Sequence, residues 1–249
     1  MPTRSAATTR AASSASPAAI PTDGAAELRA VVRSWLLGAA ERIIASADEL
    51  TELDARIGDG DHGINLARGM VRVREVISGA EDTAPSELLR NSGRALVSSV
   101  GGASGPLYGT FLLEAAEGVA AEAAAPAREP IAALAPAFAR GVAGIGRRGR
   151  STIGQKTMLD TLVPAAEALR RGAAEPQATG PAARSMVAAA EEGCESTRPM
   201  IAQRGRASYL GERAIGHLDP GAVSALIVVE ALAAALEDQP AETGERLRR

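Results

Sequence analysis

The segment AELRAVVRSWLLGAAERIIASA, residues 26–47, carries the pattern that decides the fold class of this chain. Its apolar residues Leu28, Val31, Trp35 and Ile43 recur at helical spacing and form one stripe along the segment. Similar patterns predict seven further helices, at 64–80, 85–99, 105–123, 129–147, 157–173, 179–197 and 221–238. We find no convincing alternating strand and no internal repeat, so the pattern predicts an all-α fold built as an up-and-down helix bundle.

The composition narrows the functional classes. The 249 residues are 46% hydrophobic without an apolar run that we judge long enough to cross a bilayer, so we expect a soluble protein with no membrane partner. A formal net charge of −3 offers no basic surface for nucleic acid. The single cysteine, Cys194, excludes an intramolecular disulfide, which fits a reducing, cytoplasmic location.

Three regions differ in composition. Residues 1–24 are rich in Ala, Ser, Thr and Pro and predict a disordered extension, although a transit peptide is a compositional alternative. Residues 25–240 contain all the predicted helices without a long linker, which indicates one domain. Residues 241–249 form a charged tail.

The stretch DARIGDGDHGIN, residues 54–65, gathers three aspartates on a glycine-rich loop. Asp54, Asp59 and Asp61 repel one another unless a cation lies between them. Oxygen ligands select a hard cation, and the spacing of an EF-hand calcium loop is absent, so we favour Mg²⁺. The alternative is a solvated turn whose aspartates cap helices. His62 and Asn65 follow at the start of the second helix, where free N–H groups favour a phosphate.

Three other segments stand out from the helical pattern: SSVGGASGPLYGT (98–110), GRRGRSTIGQKTMLD (146–160) and GRASYLGERAIGHLDPGAVS (205–224). The first has the glycines of a phosphate cradle. The second approaches P-loop spacing but follows a predicted helix rather than a strand, so we reject a P-loop. The third predicts a long structureless connection of the kind that is usually functional. We expect the 100–104 loop at the opposite end of the bundle from 51–63, with some segments bending inward.

Taken together and in this order, the four segments resemble the ADP-binding subunit of dihydroxyacetone kinase, the DhaL family. The resemblance covers about residues 30–235. It implies an eight-helix antiparallel up-and-down barrel that binds ADP or ATP and two Mg²⁺ ions at one end.

The resemblance also assigns residues. The family's metal-binding aspartates match Asp54, Asp59 and Asp61. Its nucleotide contacts match His62, Gly63, Ile64, Asn65, Ala103, Ser104, Gly149, Met158, Arg206, Asp219, Pro220 and Gly221. The arginine that lies at the phosphates matches Arg206, which we expect to be catalytic. One departure is Ile153-Gly154-Gln155, where the family usually has Pro-Gly-Asp, and this change could alter nucleotide exchange.

The resemblance implies a phosphotransferase subunit that is active only with partners. We expect a ketose-binding kinase subunit, because the chain lacks that half, and a phosphocarrier of the phosphotransferase system that recharges ADP in place. A second copy of the chain is a further candidate partner. Two alternatives stay open: an ATP-exchanging subunit for another ketose such as erythrulose, and a non-catalytic adaptor that senses the nucleotide.

Overall fold

The computed structural model describes residues 23–122, 129–175 and 179–238. These residues form nine α-helices and one 3₁₀ helix, and no strand occurs among them. The helices are α1 (Asp23–Ala45), α2 (Ala47–Ile57), α3 (His62–Ser78), α4 (Pro85–Ser99), α5 (Ser104–Glu122), α6 (Pro130–Gly149), α7 (Met158–Ala173), α8 (Thr179–Ser196), the 3₁₀ helix (Arg206–Ala214) and α9 (Pro220–Glu237). The predicted all-α class is confirmed.

Eight of the helices close into a ring. Each of α1, α3, α4, α5, α6, α7, α8 and α9 packs against the next, and α9 packs back against α1. The predicted eight-helix barrel is therefore confirmed. The short helix α2 is an addition outside the ring, where it packs on α3, α9 and the 3₁₀ helix.

Helix α2 was not predicted because the first helix was expected to end near residue 47. The helix is interrupted at Ser46, and α2 begins at Ala47. Asp48 and Glu49 lie in its first turn, where acidic side chains are favourable. Only Leu50, Asp54 and Ile57 of its 11 residues are buried, so its apolar stripe is too short to be distinctive. Asp54 therefore lies inside a helix and not, as we expected, in a loop after the first helix.

The antiparallel ring places alternate connections at the same end. Connections 46–61, 100–103, 150–157 and 197–219 all lie at one end, which we call the site end. The expectation that 100–104 lies opposite 51–63 is wrong, because the connection at 79–84 intervenes and reverses the chain once more. The ring of His62 lies 2.9 Å from the Ser104 hydroxyl, which shows directly that the two loops meet.

The barrel interior is packed with apolar side chains. Trp35, Phe111 and Phe138 form an aromatic cluster with ring centroids 5.1 to 6.3 Å apart. The Trp35 indole N–H donates to the Val228 carbonyl at 3.0 Å, so its one polar atom is satisfied inside the core. Each such buried side chain stabilises the fold by about 1.5–3 kcal/mol through burial alone.

Helix α9 shows that the prediction of no membrane-length apolar run was wrong. By length and composition it could cross a membrane, with a mean hydropathy of 1.6 over Pro220–Glu237, whereas we expected no run of that kind. In the barrel it packs against α1, α7 and α8, and 61% of this window is buried. A helix that is apolar on all sides is typical of a protein core as well as of a bilayer.

The 205–224 segment is more ordered than its sequence predicts. It contains the 3₁₀ helix and the start of α9. Ala207 and Ala214 pack with Ile57 of α2 and Ala202 in a small apolar cluster separate from the main core. The predicted disordered extension, 1–24, lies outside the described residues except for Asp23 and Gly24, which begin α1, and the 241–249 tail lies outside them entirely.

Candidate metal and phosphate site

Three carboxylates converge at the site end. One oxygen from each of Asp54, Asp59 and Asp61 lies within 4.8 Å of the other two. Asp54 is buried on α2, whereas Asp59 and Asp61 are exposed on the following turn. Because all the donors are carboxylate oxygens, the residues fit a hard divalent cation such as Mg²⁺.

The turn after α2 is wrapped around Asp54. One Asp54 oxygen, Oδ2, accepts the N–H of Asp61 at 2.9 Å and the N–H of His62 at 3.1 Å. Gly60 has a φ of 71°, in the left-handed region that favours glycine. A side chain at Gly63 would collide with the Ala47 carbonyl, 2.0 Å from an added Cβ. These contacts hold Asp59 and Asp61 beside the buried carboxylate at the start of α3.

His62 connects three of the four segments. Its Nδ1 lies 2.9 Å from the Ser104 hydroxyl and its Nε2 lies 2.9 Å from the Ser224 hydroxyl. Ser224 also contacts the Tyr108 hydroxyl at 2.7 Å. Burial lowers the pKa of His62, although the nearby carboxylates of Asp54 and Asp61 act in the opposite direction. Both ring nitrogens therefore have protein partners at the bottom of the site.

Four helix N-termini lie at this end, those of α3, α5, α7 and α9. Each presents the positive end of a helix dipole, which favours anions, although the side chains of Asp54, Thr157 and Asp219 already accept some of the first-turn N–H groups of α3, α7 and α9. Gly221 at the start of α9 adjoins the start of α7, because an added Cβ would lie 3.6 Å from the Met158 nitrogen. Gly101 adjoins the Asn65 side chain in the same way, at 3.3 Å. A phosphate group would find both donors and a nearby metal site here.

The predicted nucleotide-site residues all lie at the site end. Ile64 and Asn65 occupy the first turn of α3, and Ala103 and Ser104 lie at the start of α5. Gly149 is the last residue of α6, and Met158 is the first of α7. Asp219 caps α9, accepting the Ala222 N–H at 2.7 Å, and burial raises the pKa of Asp219 to about 7.

Arg206 contacts the acidic cluster itself. Its Nε lies 3.0 Å from Asp59 Oδ2, and its side chain is 70% exposed. Such an exposed pair contributes little to stability and leaves the guanidinium free to move. This contact joins the 3₁₀ helix to the predicted metal ligands.

Gln155, the last residue of the Ile153-Gly154-Gln155 run that departs from the expected family pattern, links two connections. Its side-chain oxygen accepts from the Thr152 N–H and from Arg204 Nε, both at 3.2 Å, and its carbonyl accepts the Gln203 N–H at 3.1 Å. A neutral amide thus joins the 150–157 and 197–219 connections.

Sequence reasoning missed several residues that shape the site. Asp160 accepts the Thr157 N–H at 2.7 Å and the Gly154 N–H, which fixes the turn before α7. The spacing of Thr157 and Asp160 is that of a capping box, a signal that would have identified it. Tyr108 and Ser224 gave no comparable signal, because their role depends on helices distant in sequence.

Comparisons with known proteins show the family to which the chain belongs. The DAK2 domain model matches residues 56–234. The chain is 40% identical over 210 residues to the ADP-binding subunit DhaL of the PEP-dependent dihydroxyacetone kinase of Escherichia coli (strain K12), covering 84% of this chain and 98% of that one. It is 37% identical over 198 residues to the ADP-binding subunit DhaL of dihydroxyacetone kinase 1 of Listeria innocua, covering 80% and 92%.

A solved structure shares the fold. The dihydroxyacetone kinase of C. freundii, in complex with AMP-PNP and Mg²⁺, superposes with a TM-score of 0.62 at 25% identity. The match covers 94% of this chain and 38% of that longer chain.

The fold and the site define a helical barrel with an acidic, oxygen-lined end beside four helix N-termini. The chain belongs to the DAK2 domain family, within which its relatives include ADP-binding DhaL subunits of dihydroxyacetone kinases.

Proposed function

We propose that this protein is the ADP- and Mg²⁺-binding subunit of a dihydroxyacetone kinase, which passes a phosphoryl group from the nucleotide to a ketose on a partner subunit. The observation that carries the proposal is the convergence of three carboxylates beside the N-termini of four helices. The carboxylates suit divalent metal, and the helix ends suit phosphate. Relatives that are ADP-binding subunits of dihydroxyacetone kinases support the same function.

The proposed roles divide among the residues at the site end. Asp54, Asp59 and Asp61 hold two Mg²⁺ ions, which when bound supply positive charge against the diphosphate. The backbone and side chains of 62–65, 103–104, Gly149, Met158 and 219–221 bind the nucleotide.

Arg206 is the proposed catalytic residue. Its exposed guanidinium lies at the edge of the acidic cluster, close to where phosphate oxygens would meet the metal ligands. A planar guanidinium can contact two phosphate oxygens at once and stabilise the charge that develops during transfer.

The surface around the site supports a protein partner. Six large apolar side chains are exposed among the described residues, and all lie at or next to the site end: Ile64, Val97, Ile153, Ile201, Tyr209 and Ile215. We call this set the apolar rim. Apolar residues gathered around a functional site are typical of a docking surface. A ketose-binding subunit that seats on the rim would bring its substrate to the nucleotide.

We further propose that the nucleotide stays bound and is recharged in place by a phosphocarrier of the phosphotransferase system, in the cytoplasm. Two relatives named as PEP-dependent ADP-binding subunits support this. The protein purified without added nucleotide should then contain about one ADP per chain, released on chelation of Mg²⁺. Protein that is empty as purified and exchanges freely with ATP would favour the ATP-exchanging alternative.

The experiment that tests the function reconstitutes the reaction. The protein is mixed with a ketose-binding subunit, the phosphocarrier and its phosphoenolpyruvate-driven components, and ketose phosphate is measured with dihydroxyacetone and, in parallel, with erythrulose. Ketose phosphate should appear only when this chain, Mg²⁺ and both partners are present. Product with erythrulose alone would favour the other-ketose alternative. Tight ADP binding without any phosphoryl transfer would favour the nucleotide-sensing adaptor.

A further inference from the structure

The connection between α8 and α9, residues 197–219, is closed at its base by the Lys156 side chain and by the Gly216 N–H, which donates to the Arg198 carbonyl at 2.8 Å. The Lys156 ammonium donates to the Thr197 carbonyl at 2.7 Å and to the His217 carbonyl at 2.6 Å. Thr197 begins the connection and His217 lies near its end, so the same group joins both ends of the loop that they enclose. We call residues 198–216 the α8–α9 loop.

Lys156 is unusual in this chain. It is the only lysine among 27 basic residues in the sequence, the other 26 being arginine. It is 1% exposed, and its backbone has a φ of 58°, a conformation that non-glycine residues rarely adopt. Burial lowers the pKa of Lys156, while Asp219 and Asp160 raise it and Arg198 lowers it. A compact ammonium can meet two carbonyls in a space that a planar guanidinium would not fit.

The same contacts reach the proposed nucleotide site from two directions. Thr197 Oγ1 accepts the Asp219 N–H at 3.1 Å, and Asp219 in turn caps α9. Arg206, inside the loop, contacts Asp59 at 3.0 Å. The position of the Asp219 turn and that of Arg206 therefore both depend on the closed loop base.

Lys156 lies at the site end, but its ammonium is not exposed to a ligand there. Although it precedes a threonine, as the phosphate-binding lysine of a P-loop does, its ammonium is buried against backbone carbonyls. Its part in the chemistry is therefore indirect, through the groups that it holds.

We propose that Lys156 is a positioning residue whose ammonium closes the base of the α8–α9 loop, and that the loop must open at this point for nucleotide to leave. The role in nucleotide release rests on the proposed function, whereas the loop-closing role does not. Loss of the ammonium should free the loop while the barrel stays folded.

The unique lysine allows the first test to be made on the wild-type protein. Acetylation by an amine-specific reagent is followed at Lys156 and at the N-terminal amine by peptide mass spectrometry. We expect Lys156 in the folded protein to react at least about 100-fold more slowly than Lys156 in urea-unfolded protein at the same pH, because reaction requires the loop base to open, while the N-terminal amine serves as the internal reference. Equal rates at Lys156 in the folded and unfolded protein would overturn the proposal, since the ammonium would then not be held.

The second test uses trypsin, which can cut the loop after Arg204, Arg206 and Arg213. In Lys156→Met, we expect cleavage at these sites to rise at least about 10-fold, while cleavage within the barrel helices is unchanged. Arg150→Gly, which replaces the other non-glycine residue with positive φ among the described residues, is the matched control and should leave loop cleavage at the wild-type rate. Equal loop cleavage in wild type and Lys156→Met would refute the loop-closing role. If Lys156→Met does not fold, the acetylation rates decide the question alone.

Nucleotide release is measured separately. Dissociation of a fluorescent ADP analogue in Mg²⁺ should be at least about 10-fold faster from Lys156→Met than from wild type, and Mg²⁺–ADP should slow acetylation of Lys156 but not of the N-terminus. Unchanged ADP dissociation from a variant whose loop is freed would overturn the role in nucleotide release. If wild type binds no ADP, the proposed function and the role in nucleotide release fail together, whereas trypsin cleavage and acetylation still test the loop-closing role.

Discussion

The barrel wall and the site end follow different rules. The wall consists of long helices closed around an apolar interior, with Trp35, Phe111 and Phe138 in mutual contact. The site end contains every residue with positive φ in the described ranges, every residue of the acidic cluster and the apolar rim. Strained backbone and unneutralised charge are costly to fold, and proteins keep them where function needs them.

This difference separates stability from activity by location. Substitutions in the wall should change the free energy of unfolding and leave the rate per folded molecule alone. Substitutions at the site end should change activity and leave the free energy of unfolding nearly unchanged.

The largest loss should follow from Asp59→Asn or Asp61→Asn. Each removes one charge from the metal ligands, and bound metal supplies several kcal/mol of charge stabilisation, so transfer should fall by about 10³-fold or more. Both side chains are exposed, so the melting temperature should stay close to that of wild type. Asp82→Asn, an exposed aspartate at the opposite end, is the control and should retain full activity. A variant of the cluster that keeps ADP and full activity would show that the metal assignment is wrong.

A smaller loss is expected for Arg206→Lys. Lysine keeps the charge but loses the planar fork, so ADP should bind nearly normally while single-turnover transfer slows by about 10- to 100-fold. Arg213→Lys, in the same 206–214 segment but beyond its kink at Gly211, serves as the control. If Arg206 only pins the loop, Arg206→Lys will lower the melting temperature and leave the rate per folded molecule unchanged.

The apolar rim should affect partner binding alone. Tyr209 is 83% exposed, and Tyr209→Ala should raise the KM for the ketose-binding subunit by about 10-fold, as expected for an aromatic anchor at an interface. The kcat at saturating partner and the melting temperature should not change. Glu81→Ala at the opposite end should have no effect. An unchanged KM in Tyr209→Ala would exclude this part of the rim from the interface.

The wall should show the opposite behaviour. Phe138→Leu removes ring contacts with Phe111 and Trp35, and should lower the free energy of unfolding by about 1–2 kcal/mol, less than truncation to alanine. Urea denaturation measures this loss, and single-turnover transfer at a temperature well below melting should match wild type. A slower rate per folded molecule would show that wall and site end are not independent.

The sequence predicted the wall well because helical periodicity is repeated over many turns. Leu28, Val31, Trp35 and Ile43 lie on one stripe, and all but the half-buried Leu28 are fully buried. It was less informative about α2, because a helix of 11 residues with three buried side chains leaves too short a stripe. As a result, the helical setting of Asp54 was not predicted, although its place among the acidic residues was.

Contacts between distant segments were beyond the reach of the pattern. His62 meets Ser224 across 162 residues, and Lys156 meets His217 across 61. No local signal encodes such a pair, because each depends on how the ring of helices closes. The family resemblance brought the segments to one site, while the side chains that join them became visible only in the folded barrel.

The proposed function requires the acidic cluster at the site end to hold metal against a diphosphate. It is tested most directly by a crystal structure of the protein with ADP and Mn²⁺, in which anomalous scattering locates the metal. We predict two Mn²⁺ peaks at bonding distance, about 2.0–2.3 Å, from carboxylate oxygens of Asp54, Asp59 and Asp61, with diphosphate oxygens completing their coordination. ADP bound without metal at these carboxylates, or Mn²⁺ bound only elsewhere, would contradict the account.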